Sequence, residues 1–198
     1  MTLATIWEHL YMVLAALLIA VVLGIPLGIV SYIYPSSRKV ILRVVDVIQT
    51  TPALALLGII MVFVGAGKPT VIAGLALYSL LPVVRNTELG LRQVSPHIKE
   101  AAIGIGMSRF YRLVRVELPL AVPVMFAGLR IAAVNAVGTA VFAAYVGGGG
   151  IGSFINTGIL RRDMGMILAG TGALVIIAVV FDFGMGFLEG RLARRTSA

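Results

Sequence analysis

The sequence predicts an all-α membrane protein in which a single domain, 1–198, folds as a bundle of five membrane-spanning helices. Of its 198 residues, 60% are hydrophobic and only 12% are charged, whereas a soluble domain has about a quarter of its residues charged. The 23 glycines are also typical of membrane helices, which contain more glycine than soluble helices do. Long stretches without charged residues then locate the individual spans.

Five apolar segments approach or reach the roughly 20 residues that a helix needs to cross the hydrocarbon core of a bilayer. The third apolar run is short, but its helix can continue through Arg85 and Glu88. The glycines at 147–150 interrupt the fourth run, and irregular backbone at membrane depth must be surrounded by protein or water. We therefore expect 147–163 to be an external loop or a short re-entrant turn. The predicted spans are 10–34, 44–66, 69–90, 121–146 and 164–188.

The distribution of basic residues predicts the orientation of these spans. If the N-terminus is outside, twelve of the sixteen Lys and Arg residues fall in cytoplasmic segments and three in external ones. Cytoplasmic segments of membrane proteins carry an excess of Lys and Arg. We therefore expect an external N-terminus, a cytoplasmic C-terminus and a cytoplasmic segment at 92–119.

Residues 92–119 have the pattern of two short helices joined by a turn. Ser95 and the proline after it form a favourable helix start, since Ser caps well and Pro suits the first helical position. Gly106 can adopt a positive φ angle at no steric cost, which permits the turn. Ser108 can cap the second helix. We expect that helix to end at Leu118, because the residue before a proline is biased away from helical geometry.

This cytoplasmic segment also contains one spaced motif. It reads EAA-x3-G-x9-V-x-LP, and it resembles the EAA loop of bacterial type I ABC importer permeases, with Val116 where that family usually has Ile. The alternative is an ordinary amphipathic loop whose arginines meet anionic lipid. The resemblance implies that the loop couples the permease to ABC ATPase subunits through Glu100, Ala101, Ala102, Gly106, Leu118 and Pro119.

Two further segments, 49–57 and 77–87, resemble permeases of osmoprotectant importers. The resemblance implies uptake of compatible solutes such as glycine betaine, carnitine or choline, delivered by an extracytoplasmic substrate-binding protein. The alternative is the same kind of permease for an amino acid such as methionine, or for another small solute. Aromatic cages recognise quaternary ammonium groups, but the pattern of Trp and Tyr residues indicates no cage in this chain.

Motifs of catalysis and cofactor binding are absent from the sequence. There is no Gly-x4-Gly-Lys-Ser/Thr phosphate-binding loop, so the ATP hydrolysis that the resemblance implies is expected on a separate ATPase subunit. The chain has no Cys, and His9 and His97 lie in no metal-binding pattern. We expect no catalytic, cofactor or metal site here. A membrane-embedded enzyme and an ATPase-independent channel are the remaining alternatives, and the basic residues form no patch suited to nucleic acid.

Polar residues within the spans are functional candidates because they are costly in lipid. We expect Tyr78, Asn86 and Asn135 to line the pathway or its gate, although Asn135 can instead bond a neighbouring helix. Asp46 and Asp182 lie near the predicted inner ends of spans and are expected to snorkel or to pair with a nearby arginine, and Arg85 is expected to pair with Glu88.

Five spans enclose only half of a translocation path, and a polar path must be shielded from lipid on all sides. We therefore expect a second permease, either a copy of this chain or a paralogue. The expected pairing surface consists of small residues that permit close helix approach: Gly128, Ala132, Ala136 and Gly138. The alternative is that these residues pack against other spans of the same chain.

Overall fold

The computed structural model describes residues 1–196, and within them every regular element is a helix. In chain order these are α1 (Leu3–Ile33), α2 (Pro35–Thr50), α3 (Ala53–Val64), α4 (Lys68–Gln93), α5 (Pro96–Gly104), α6 (Arg109–Arg112), a π-helical turn (Leu113–Glu117), α7 (Leu118–Thr139), a 3-10 segment (Ala140–Val146), α8 (Gly150–Arg161) and α9 (Met164–Thr196). The stretches long and apolar enough to cross a membrane are Leu3–Ile33, Lys68–Gln93, Arg109–Val146 and Met164–Arg194. The bent pair of α2 and α3 brings the number to five if it counts as one span.

The second predicted span, 44–66, is not one straight helix. α2 and α3 meet at an angle of 100°, and Thr51 between them is extended, with a ψ angle of 130°. Pro52 explains the bend, because its ring disfavours helical geometry at the preceding residue and it has no N–H to donate. The Val47 carbonyl accepts both the Thr51 N–H at 3.2 Å and the Thr51 hydroxyl at 2.9 Å, and these two bonds close the last turn of α2.

The predicted helix end at Leu118 and Pro119 is wrong. α6 continues through the π-helical turn into α7, so that one helical stretch covers Arg109–Val146. Pro119 lies in the first turn of α7. In a regular α-helix its ring would clash with the carbonyl four residues earlier. The i→i+5 bonds of the preceding π-helical turn widen the backbone, and this leaves room for the proline.

Residues 147–163 are mostly helical rather than a loop. Gly147, Gly149 and Gly150 have positive φ angles of 74°, 79° and 73°, so the break is confined to the few residues between the 3-10 segment and α8. α8 packs against α1, α9 and the 3-10 segment, and its Ile151 is fully buried. The apolar residues after the glycines therefore fold as a helix because they can bury one face on the bundle.

The core lies around α4, which packs against α1, α2, α3 and α7. Leu75 and Val83 of α4 belong to one buried cluster with Met12 of α1 and Val137 of α7. Small residues permit the helices to approach closely. For example, a Cβ atom added at Gly24 of α1 would lie 2.8 Å from Val83 Cγ1. Shape complementarity at such contacts fixes how α1 sits on α4.

Most of the small residues of α7 pack within the chain, which corrects the pairing surface expected from the sequence. Gly128, Ala132 and Ala136 are buried, and a Cβ atom at Gly128 would lie 2.9 Å from Asn86 Cγ of α4. Gly138 is exposed. Of the four predicted residues, Gly138 alone is therefore open to a second permease.

Candidate functional site

The loop between α4 and α7 folds as two short helices joined at Gly106, as the sequence predicts. The φ angle of Gly106 is +81°, a conformation that residues with a Cβ atom rarely adopt. The Met107 N–H donates to the Ala102 carbonyl at 3.0 Å, which closes the end of α5. The Ser108 hydroxyl accepts the Tyr111 N–H at 3.3 Å and caps α6, whereas Ser95 makes no such side-chain bond to α5.

The motif residues of this loop divide between its surface and its interior. Glu100, Ala101 and Gly106 are exposed, as is Pro119. Ala102 is buried at 4% exposure. Leu118 packs against the buried cluster of Leu91, Leu113 and Ala121. Only the exposed members of the motif can touch another protein in this conformation.

Three large apolar residues close to the exposed motif residues in the sequence are themselves exposed. Ile103, Ile105 and Phe110 are 56%, 75% and 76% exposed. They lie on α5, on the turn and on α6, beside a charged residue, Glu100. An exposed apolar patch next to charge is typical of a surface that binds a partner. We call this surface, Glu100, Ala101, Ile103, Ile105 and Phe110, the coupling face.

Tyr78 and Asn135, two of the predicted pathway residues, meet at a small polar cavity of about 160 Å³. Its lining also includes Gln49, Ser79 and Thr139. The Tyr78 hydroxyl donates to the Thr51 carbonyl at the bend between α2 and α3. The cavity therefore lies where the bent helix pair meets α4 and α7.

Asn86, the third predicted pathway residue, lies apart from this cavity. Its side-chain amide donates to the Pro82 carbonyl of its own helix at 2.8 Å. The Asn86 side chain also contacts Gly128 of α7, so its observed role is to pack α4 on α7.

A second cavity, of about 410 Å³, shares Asn135 with the first and contains a charged cluster. Arg130 of α7 donates to both oxygens of Asp182 of α9, at 2.7 and 2.9 Å, and to Glu189 at 3.3 Å. The expected pairing of Asp182 with an arginine is thus confirmed. Because the two cavities share Asn135, polar groups line α7 from Arg130 to Thr139.

The charged residues at the ends of α2 and α4 pair differently from the prediction. Asp46 bonds Arg85 at 2.9 Å, as expected for this aspartate. Glu88 does not pair with Arg85 but accepts from Arg38 at 2.7 Å and from Arg92 at 3.3 Å. The helical spacing of Arg85 and Glu88 permits contact, but partners on α2 hold each of them more closely.

Glu117 is the residue that the sequence analysis missed. It is 1% exposed and pairs with Arg112 at 2.6 Å. Its position between the apolar residues Val116 and Leu118 was the available signal, since a buried carboxylate requires a partner. Among residues 1–196, no group of three or more His, Cys, Asp or Glu side chains is arranged to hold a metal ion.

Comparison with known proteins identifies the family. Residues 20–197 match the family described as binding-protein-dependent transport system inner membrane component. The carnitine transport permease protein OpuCB of Listeria monocytogenes is 38% identical over 186 residues, which cover 94% of this chain and 85% of that protein. The glycine betaine/carnitine/choline transport system permease protein OpuCD of Bacillus subtilis is 41% identical over 188 residues, covering 94% and 82%.

A solved structure shares the fold. An inward-facing conformation of the MetNI methionine ABC transporter has a TM-score of 0.85 at 21% identity, covering 94% of this chain and 93% of that one. The family and these relatives are transport subunits rather than enzymes, and their importers also include ATPase, binding-protein and second permease components. The chain belongs to the family of binding-protein-dependent transport system inner membrane components, and it is an integral membrane permease of a type I ABC importer.

Proposed function

We propose that this permease forms half of a translocation path for osmoprotectants such as glycine betaine, carnitine or choline. The observation that carries the proposal is 38% and 41% identity, over 94% of the chain, to permeases named for transport of these solutes. The similarity extends over almost the whole length of the chain. It therefore includes the helices that surround both polar cavities.

The exposed face of α7, with the polar residue Asn135 on it, supports a path on the open side of this helix. Ile131, Asn135 and Gly138 are exposed, and their spacing places them on one face of the helix. An amide facing hydrocarbon without a hydrogen-bond partner is costly. A second permease opposite this face would enclose Asn135 in a polar path, and both cavities would open into that path.

The bend between α2 and α3 supports a gate beside this path. Tyr78 holds the Thr51 carbonyl, and the cavity beneath the bend is only about 160 Å³. Movement of α3 relative to α4 changes the width of this cavity, and release of the Tyr78 hydroxyl accompanies that movement. In this proposal Tyr78 and Asn135 contact the passing solute, and Asn86 keeps α4 and α7 together.

The coupling face supports contact with an ATPase subunit on the cytoplasmic side. In this proposal Glu100 and Ala101 contact the ATPase, and the turn at Gly106 fixes the angle between α5 and α6. ATP, bound by the ATPase subunits, draws the two permeases into an outward-open state. Solute then arrives from the external binding protein and is released inside when the ATPase subunits separate after hydrolysis.

Reconstitution tests the proposed substrate. The permease, its ATPase and its binding protein are placed in proteoliposomes, and uptake of radiolabelled glycine betaine, carnitine, choline and methionine is compared. We expect ATP-dependent uptake of at least one of the first three solutes and none of methionine. Uptake of methionine alone would assign the chain to amino-acid import and would overturn the proposed substrate class.

A further inference from the structure

Glu117 is buried where the coupling loop joins the membrane bundle, and the transport cycle described above does not use it. Its Oε2 accepts the Tyr32 hydroxyl of α1 at 2.6 Å, and its Oε1 accepts the Arg112 Nε–H at 2.6 Å. Both distances are short, as is typical of hydrogen bonds to charged groups. Removal of one partner from a buried ion pair leaves an uncompensated charge, so these three side chains hold one another in place.

Lys99 extends this cluster to the first helix of the coupling loop. Its Nζ lies 3.0 Å from Tyr32 Oη and 3.0 Å from the carbonyl oxygen of Leu91. Leu91 is in the last turn of α4, where carbonyl groups lack helical partners and carry partial negative charge. Lys99 therefore ties α5 to α4 directly and to Glu117 through Tyr32. We call Lys99, Tyr32, Arg112 and Glu117 the Glu117 network.

α5 has few other attachments to the bundle. Of its nine residues, Pro96–Gly104, only Lys99 and Ala102 are not exposed. Ala102 supplies only one methyl group to the interior, and the burial of a single methyl group stabilises a contact weakly. The orientation of α5 relative to α1 and α4 thus depends mainly on the hydrogen bonds of Lys99.

The π-helical turn supplies a second observation. It begins directly after Arg112 and ends at Glu117, so both charged partners lie at its ends. π-helical turns are rare and occur frequently at functional sites. Here the turn brings the Arg112 guanidinium onto a carboxylate five residues later, and it aims that carboxylate at α1.

We propose that the Glu117 network is the connection that carries a displacement of α5 into α1, α4 and α7. The proposal rests on the coupling role proposed for the loop. Tyr32 and Glu117 act as positioning residues in it: they fix the angle of α5 on the bundle and do not themselves touch the ATPase. When the network is broken, α5 still binds the ATPase through its exposed residues, but its movement is no longer transmitted to the spans.

The test compares two tyrosines at the same end of α1. Tyr32→Phe removes the hydroxyl that joins Lys99 to Glu117, whereas Tyr34→Phe removes a hydroxyl that is exposed and has no hydrogen-bond partner among residues 1–196. Each variant is reconstituted with its ATPase and binding protein, with radiolabelled carnitine, choline or glycine betaine as the probe. The measured quantity is the number of ATP molecules hydrolysed per solute molecule taken up.

We expect Tyr32→Phe to raise this ratio about threefold or more, since one hydrogen bond to a charged group shifts an equilibrium by roughly tenfold. Glu117→Gln, which keeps the shape of the side chain, is expected to act in the same direction. Both variants should retain the ATPase on purification, but each removes a buried hydrogen-bonding group and should therefore have a lower thermal unfolding midpoint than the Tyr34→Phe control. A merely structural role of the network would also lower this midpoint but would leave the ratio unchanged.

Two outcomes would overturn the inference. The first is a Tyr32→Phe complex with the same ratio as the Tyr34→Phe control, and the second is a Tyr32→Phe permease that no longer assembles with the ATPase. Failure of the proposed coupling role itself is recognised separately. In that case Ala101→Cys in an otherwise unchanged permease would not cross-link to the ATPase, whatever the ratio measured for the tyrosine variants.

Discussion

Gly106 and Gly104 lie two residues apart in the coupling loop and differ mainly in backbone conformation. A Cβ atom at either position would meet no other described atom within 4 Å, but only Gly106 has a positive φ angle, of 81°. We expect Gly106→Val to strain the turn by about 1–3 kcal/mol and to abolish most uptake while the protein still inserts in the membrane. Gly104→Val is the matched control. ATP-driven uptake by Gly106→Val vesicles at the level of this control would contradict the role of the turn.

The sequence could not predict which individual residues of the site are exposed. The spacing of the motif located the loop, because glycine and serine determine local turns and caps wherever the rest of the chain lies. The same motif could not separate Ala101, which is exposed, from Ala102, which is buried. Likewise, Asn86 and Asn135 are both polar residues of apolar helices, and only tertiary contacts distinguish a packing role from an open one.

The contact between α7 and α9 depends on Arg130, which holds Asp182 with two hydrogen bonds and Glu189 with one longer bond. We expect Asp182→Asn to lower the thermal unfolding midpoint in detergent more than Glu189→Gln does, because a bidentate pair to arginine is the stronger and more directional one. A permease with unmodified Asp182 and Glu189 provides the reference. Equal midpoints for the two variants would show that the geometry of the pair does not contribute to packing of α9.

Element boundaries were predictable where one local signal acted alone. The third span is an example: a short apolar run whose helix can continue through Arg85 and Glu88 predicted 69–90, and α4 covers Lys68–Gln93. Two of the errors, at Pro52 and Pro119, occurred where a proline had two possible effects. Pro52 bends the chain by 100° between α2 and α3, whereas Pro119 leaves the helix continuous because a π-helical turn precedes it. The choice between a break and a continuous helix depends on packing and on hydrogen bonds to neighbours, which composition does not record.

The orientation of the whole molecule remains a prediction from its charges. An external N-terminus places twelve of the sixteen Lys and Arg residues in the cytoplasm, in agreement with the excess of positive charge on that side of membrane proteins. A reporter fused after Ala198 is therefore expected to be cytoplasmic, and one inserted after Arg162, between α8 and α9, to be external. A C-terminal reporter found outside the cell would invert the topology and place the coupling face on the wrong side.

The proposed pairing of two permeases makes α7 the helix that faces the partner. Gly138 is on its exposed face, and Ala132 of the same helix is fully buried. The chain has no Cys, so single cysteines can be introduced and oxidised without background. For an importer with two copies of this chain, we expect Gly138→Cys to form a cross-linked dimer and Ala132→Cys to remain monomeric on gels. An importer with a paralogous partner requires a second cysteine at the matching position of that partner. A functional complex with one permease subunit would contradict the pairing.

Cross-linking from the coupling face to the ATPase tests the central claim most directly. Ala101 and Ala102 are adjacent and chemically identical, but Ala101 is exposed and Ala102 is 4% exposed. In the assembled importer, with a short bifunctional reagent that joins cysteine to lysine, we expect Ala101→Cys to cross-link to the ATPase subunit. Ala102→Cys should give little or no product, and ATP should change the yield from Ala101→Cys, because the loop moves with the ATPase. Equal yields from the two positions, or no product from Ala101→Cys in a complex that transports solute, would contradict the account.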